Sequence, residues 1–264
     1  MPGKDASSFA IVVAAVGAMG PGPRVWVSAL PRTAKLHVDM AQFLEDSGYN
    51  QTDEVCVLSD GAKDLAELAT ALPHQSQWVL DWAHIGRTLH YLDQAITPLA
   101  YGQITEKGSA FEMLDLFVRF RNRIWTGKTA SGQKLVNRLY KLLEPREKRQ
   151  PGMTSEIKNA KHKLLNVMYY LEKNIDTLID YRTWQKSGRR IATGFVESSI
   201  NRIIGRRMCK DQQMRWTPIG AHCVAQIRVA LLNKEFHEYA QQQVPWIGRR
   251  RVSWPWQQQT SQAF

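Results

Sequence analysis

The chain has 264 residues, 44% of them apolar and 22% charged, which is enough to bury a core as one large or two small domains and excludes a mini-protein. Its three cysteines, Cys56, Cys209 and Cys223, are odd in number, far apart and without metal-ligand spacing, so a disulfide framework is excluded and a reducing cytoplasm fits. The net charge of +11 is uneven: residues 1–100 hold 6 Lys/Arg against 11 Asp/Glu, and residues 101–264 hold 29 against 13. That asymmetry predicts carboxylates gathered in the first part and a polyanion-binding surface supplied by the second. No stretch reaches the roughly 18 to 20 consecutive apolar residues that span a bilayer, and the run at 9–19 is too short. Lys4 is offset by Asp5, so the start lacks the basic region of a signal peptide, and no membrane partner is expected.

Residues 9–16 are continuously apolar, and 24–30 carry Val25, Trp26 and Val27 after a segment rich in Gly and Pro, which predicts two strands joined by a turn. Thr33 can cap a helix over 34–47, with Leu36, Met40, Phe43 and Leu44 on one face and Gly48 as its stop. Val55, Cys56, Val57 and Leu58 form an unbroken apolar run, as expected of a strand buried on both faces, and end at Ser59-Asp60-Gly61. A helix over 62–71 and a short buried strand at Trp78, Val79 and Leu80 follow, ending at Asp81, with His84 three residues on. This alternation predicts an α/β layer architecture with a mixed sheet. In such sheets ligands bind beyond the carboxyl ends of the strands, which points Asp60, Asp81 and His84 toward a candidate site. Asp before Gly at a strand-to-helix junction is equally the signature of a cap or turn residue, and both readings stay open.

After Asp81 the pattern turns helical. Helices are predicted over 84–96, over 110–125 with Ala110, Leu114, Phe117, Val118, Arg121 and Trp125 in register, and over 135–143. Residues 146–152 read as a charged linker, and 155–184 as one long amphipathic helix with Ile157, Leu164, Leu165, Met168, Leu171, Ile175 and Ile179. Val196, Ile200, Ile203, Ile204 and Met208 fall on one face of a helix starting past Gly194, with Glu197 in its first turn. Thr217-Pro218 starts a last helix running through Ala221, Val224, Ile227, Leu231 and Leu232 to about Tyr239. The tail from Gln241 mixes Arg249, Arg250 and Arg251 with Trp246, Trp254 and Trp256 and has no periodicity; it is a solvated end or a nucleic-acid contact. The expected organisation is therefore 1–100, 101–190 as a helical insertion, 191–240 completing the first part, and 241–264 as a basic tail.

Carboxylates at two strand ends and a Glu opening a distant helix are the donors that a divalent-metal phosphoryl-transfer site uses, since hard cations take oxygen ligands. The blocks at 58–65 (LSDGAKDL), 80–85 (LDWAHI), 194–201 (GFVESSIN) and 212–222 (QQMRWTPIGAH) resemble, in that order, those of bacterial insertion-sequence transposases of the ISKra type, within the Mutator-like DDE superfamily. The resemblance covers about residues 54–235. It implies a ribonuclease H-like catalytic domain with a large all-helical insertion and C-terminal helices, acting in DNA transposition and recombination by cleavage and strand transfer. Asp60 and Glu197 are then the second and third acidic ligands of a two-metal Mg²⁺ or Mn²⁺ site. Asp81-Trp82-Ala83-His84 matches the Cys/Asp-x-x-His signature of the superfamily, with His84 orienting a group near the scissile phosphate or else simply capping its helix. Glu197 is otherwise a favourable acid at a helix N-terminus. The implied partner is DNA, as element ends and target, bound by a homo-oligomer in a bacterial, nucleoid-associated setting. Arg202, Arg206, Arg207, Lys210 and Arg215 are its expected phosphate contacts. One departure matters: the family's sheet has three strands before its first helix, the first bearing the first catalytic Asp, whereas two strand-like runs precede Ala34 and Asp5 has no motif around it. The expectation is a copy that begins after that strand, truncated or split, and either weakly active or a DNA-binding remnant. A structure-specific nuclease of the same fold is the remaining alternative, disfavoured by the 212–222 block.

Overall fold

The computed structural model describes residues 9, 11–17, 24–29, 34–50, 52–62, 76–101, 107–149, 154–205, 208 and 216–243. The chain divides into two compact units, Met1–Ser47 with Val196–Phe264, and Gly48–Phe195.

In the first unit, strand β1 (Val12–Val16) pairs antiparallel with β2 (Arg24–Ser28), in a register running from Val12 opposite Ser28 to Val16 opposite Arg24. Val25 and Val27 point inward by the two-residue alternation of a strand and are buried. Helix α1 (Ala34–Asp46) buries Phe43 and Leu44 and stops at Gly48, whose φ of 93° is the left-handed conformation that ends helices. The apolar core joins Val25 and Val27 to Ile203, Ile204, Ala225 and Val229.

The second unit holds β3 (Cys56–Ser59) and β4 (Gln77–Leu80), paired in parallel with Cys56 opposite Gln77 and Ser59 opposite Leu80. Then come α2 (Trp82–Tyr101), α3 (Lys107–Trp125), α4 (Thr129–Arg149) and α5 (Thr154–Lys173). Helix α2 packs on α3 and α5, and α4 packs on the same two, so the four close a ring around one core. Leu92, Ile96, Met113, Phe120, Leu139, Leu143 and Leu164 fill it, and Val79 and Leu80 of β4 join it from the strand side. A 3-10 turn (Ile175–Thr177), the short helix α6 (Tyr181–Lys186) and α7 (Gly194–Ile200) follow; α7 runs into the first unit, where α8 (Pro218–Leu232) and α9 (Phe236–Gln243) are the last described elements.

The α/β class expected from the sequence holds, but several expectations are corrected. Among the described residues the strands form two sheets of two strands, one antiparallel and one parallel, and not a single mixed sheet. Strand β3 is not buried on both faces: Cys56 is exposed and Val57 and Leu58 are half-buried, because β4 is its one partner among the described residues. In α3 the buried stripe is Met113, Leu116, Phe117, Phe120 and Ile124, so Val118 and Arg121 face outward. The residues expected as a linker begin inside α4, which runs on to Arg149. The single helix over 155–184 breaks after Lys173, where Asn174 turns its side-chain amide back onto the Tyr170 carbonyl (2.8 Å) and Asp180 caps a new helix. The helix of Ile203 and Ile204 becomes a π turn (Asn201–Gly205), whose wider winding lets both neighbouring isoleucines reach the core. The last helix ends at Leu232, followed by a turn in which Lys234 has φ 66°. Its buried face is Ala221, Ala225 and Val229, with Ile227 and Leu231 exposed, since small residues let α8 lie close on β2. The expected helix over 62–71 falls mainly on residues outside the described ones.

Candidate functional site around the Asp60 turn

Parallel pairing brings the carboxyl ends of β3 and β4 side by side, and the Asp81 amide donates to the Ser59 carbonyl at 2.7 Å. Asp60 and Asp81 are therefore neighbouring strand-end residues, as the sequence predicts. Their environments differ. Asp60 is exposed, and its Oδ1 accepts from the Ala62 amide at 2.9 Å, an Asx turn of the kind the alternative reading describes. Gly61 has φ 80°, so the turn needs glycine for its conformation, and a Cβ there would meet Asn174 Oδ1 at 2.5 Å and push that amide aside.

Asp81 is 2% exposed. Its Oδ1 accepts from the Ala83 amide at 2.7 Å, capping α2, and its Oδ2 accepts from the Thr193 hydroxyl. Asp81 is thus a helix cap: a buried carboxylate is kept there because donors on both oxygens replace the lost water.

The residue that gathers these groups is Tyr170 of α5, which sequence reasoning missed. Its hydroxyl donates to the Asp60 carbonyl at 3.0 Å, and its ring lies 5.5 Å from the His84 ring. Burial pushes the Tyr170 phenol up in pKa, and the Asp60 and Asp81 carboxylates push it further, so at neutral pH it remains a neutral donor. His84 is half-buried in the first turn of α2, on the same side as Tyr170. Tyr181 braces the floor: its hydroxyl donates to the Leu80 carbonyl at 2.9 Å, and its ring packs on Trp82 and Trp125. Tyr170 on α5 and Asn174 just past its end stand four apart, and the one signal that could have found them is this polar pair beside an apolar stripe.

Glu197 lies exposed in the first turn of α7 and belongs to the other unit, as does Arg202, whose carbonyl accepts from Arg228 Nε at 3.1 Å. Arg206, Arg207, Lys210 and Arg215 lie outside the described residues. Among the described residues no group of three or more His, Cys, Asp or Glu side chains is arranged to hold a metal ion. Tested as donors, the residues of the Gly48–Phe195 unit fit a two-metal site poorly, because Asp60 offers an exposed carboxylate while both oxygens of Asp81 already accept hydrogen bonds. No helix among the described residues is long and apolar enough to cross a membrane. Compared with known proteins, the chain matches no protein family model, no curated protein and no solved structure.

Proposed function

We propose that this chain acts on DNA as a transposase of the Mutator-like DDE type, or as its C-terminal portion, in insertion-sequence transposition. The observation that carries the reading is the exposed Asp60 carboxylate on a glycine-dependent turn at the carboxyl end of a parallel strand, with Asp81, His84 and Tyr170 beside it. An antiparallel hairpin, a helix and a parallel pair follow in the order expected of a ribonuclease H-like fold without its first strand, which supports that finer fold assignment. The four sequence blocks and the basic second part of the chain support DNA as the partner. The resemblance assigns Asp60 and Glu197 to Mg²⁺ or Mn²⁺, and of these two carboxylates Asp60 is the one in the Gly48–Phe195 unit. In this reading Asp81 positions α2 and so His84, and does not itself ligate.

A second reading has one observation in its favour. With both Asp81 oxygens engaged, the donor set is thin, which suits a chain that binds DNA without cutting it. Nicking of supercoiled duplex DNA in Mg²⁺ or Mn²⁺ separates the two. The transposase reading expects nicking that Asp60→Asn and Glu197→Gln each reduce by about a hundredfold or more, as loss of a transition-state contact does. Retained DNA binding with no nicking under any divalent ion would leave the second reading standing.

A further inference from the structure

The segment that follows α5 carries a feature that the expected DNA contacts do not include. From Tyr181 to Val196 the chain has four cationic side chains, Arg182, Lys186, Arg189 and Arg190, and no carboxylate. All four residues are exposed, and among the described residues none is ion-paired with a carboxylate at salt-bridge distance. Two of them lie over aromatic rings: the Arg189 guanidinium is 5.0 Å from the Trp184 ring centroid and that of Arg190 is 5.8 Å from the Phe195 centroid. Stacking over a ring holds a guanidinium in place while leaving its N–H edge open to oxygen acceptors, which lowers the entropy lost on binding a phosphate.

Both ends of the segment are fastened to the junction of β4 and α2. At one end the Tyr181 hydroxyl bonds to the Leu80 carbonyl. At the other the Ile191 carbonyl accepts from the Trp82 amide at 2.9 Å, and Thr193 bonds to Asp81. Between them Gly188, with φ 76°, follows the end of α6, where the Arg189 amide donates to the Trp184 carbonyl at 3.1 Å. The result is a basic strap anchored beside the two strand-end aspartates.

We infer that this strap, through Arg182, Lys186, Arg189 and Arg190, is a binding surface for the phosphate backbone of duplex DNA, holding it next to the Asp60 turn. The inference rests on the reading of the chain as a DNA-acting protein and adds where, in the Gly48–Phe195 unit, the DNA lies. Four exposed cations on an anchored segment favour a polyanion of regular spacing, and guanidiniums favour phosphate oxygens.

The test uses the full chain, a fluorescent DNA duplex of arbitrary sequence and anisotropy over a salt series. One variant carries Arg182→Gln, Lys186→Gln, Arg189→Gln and Arg190→Gln. A control carries Lys128→Gln, Lys134→Gln, Lys141→Gln and Lys158→Gln, with the same change in net charge at exposed positions. The strap variant is expected to bind at least about tenfold more weakly and to lose about three from its salt slope, the control much less. A milder Arg189→Lys, Arg190→Lys variant, which keeps charge and gives up stacking, is expected to fall between. A strap variant that binds like the parent, or a control that weakens as much as it does, overturns the inference while the DNA reading survives. A parent chain with no affinity for duplex DNA removes both. An equal loss of affinity for polyglutamate would mark the strap as a surface for acidic proteins and overturn the assignment to DNA.

Discussion

Asn174 stands where a side chain at Gly61 would be, beside the Tyr170 hydroxyl bond to the Asp60 carbonyl. Gly61→Ala would force an L-residue into a left-handed conformation, which costs about 1–2 kcal/mol, and would also drive the new methyl into the Asn174 amide. Asn174→Ala alone removes one hydrogen bond to the Tyr170 carbonyl, worth about 0.5–1.5 kcal/mol. The two changes are therefore expected to be non-additive: the double variant should be more stable than the sum of the single losses, because shortening Asn174 removes the clash while the φ penalty stays. Urea denaturation of the four proteins measures this. Strict additivity would show that the Asp60 turn and α5 do not touch in solution. The same contacts explain why the site was only partly legible from sequence. Asp60 and Asp81 stand at strand ends that apolar runs mark clearly, whereas Tyr170 lies 110 positions from Asp60 and reaches it through the folding back of a bundle.

Elements were legible where local chemistry decides them. Thr217 caps α8 with its hydroxyl accepting from Gly220 at 3.1 Å, and Gly48 ends α1, both as the residue types dictate. Tertiary packing decided the rest. Ile227 and Leu231 look like the core face of α8, yet Ala221 and Ala225 are the buried ones. The reason lies on β2: Asn233 bonds to both the amide and the carbonyl of Val25 at 2.9 Å, and Gln226 reaches the Val27 carbonyl at 2.8 Å. Side chains on α8 and just past its end thus satisfy the edge of β2, and that close approach admits alanine where a larger residue would not fit. The break between α5 and α6 was hidden for a related reason, because an apolar stripe continues through it while Asp180 starts a new helix. Asp180 accepts from the Thr183 amide at 3.0 Å and from its hydroxyl at 2.8 Å, and these bonds, the amide first, hold its pKa below the ordinary aspartate value. A folded value below the unfolded one means stability that is full above about pH 3.9 and is lost as pH falls through the lowered folded value. Asp180→Ala is accordingly expected to lower Tm at neutral pH, with the gap to the parent chain narrowing below that point. A gap that stays constant into acid would show that the cap makes no charge-dependent contribution.

At the scale of the whole molecule, two cores of unequal size set the stability. Residues 48–195 enclose a continuous apolar interior drawn from four long helices and β4, whereas the core of the other unit rests on Val25, Val27, Ile203, Ile204, Ala225 and Val229. A two-stranded hairpin is marginal by itself and depends on such a covering helix, so the smaller core should open at lower free energy. Native-state hydrogen exchange on the full chain tests this directly. Amides of β2 are expected to exchange through an opening well below that governing the amides of α2 and α4. Leu139→Ala, which removes a fully buried side chain from the larger core, is expected to cost about 2–5 kcal/mol and to lower protection across α2 to α5. Protection at Val25 and Val27 should hardly move, because those residues lie in the other core. If β2 and the bundle instead share one opening free energy, and Leu139→Ala lowers both alike, the chain folds as a single cooperative body and the division into two units has no thermodynamic meaning.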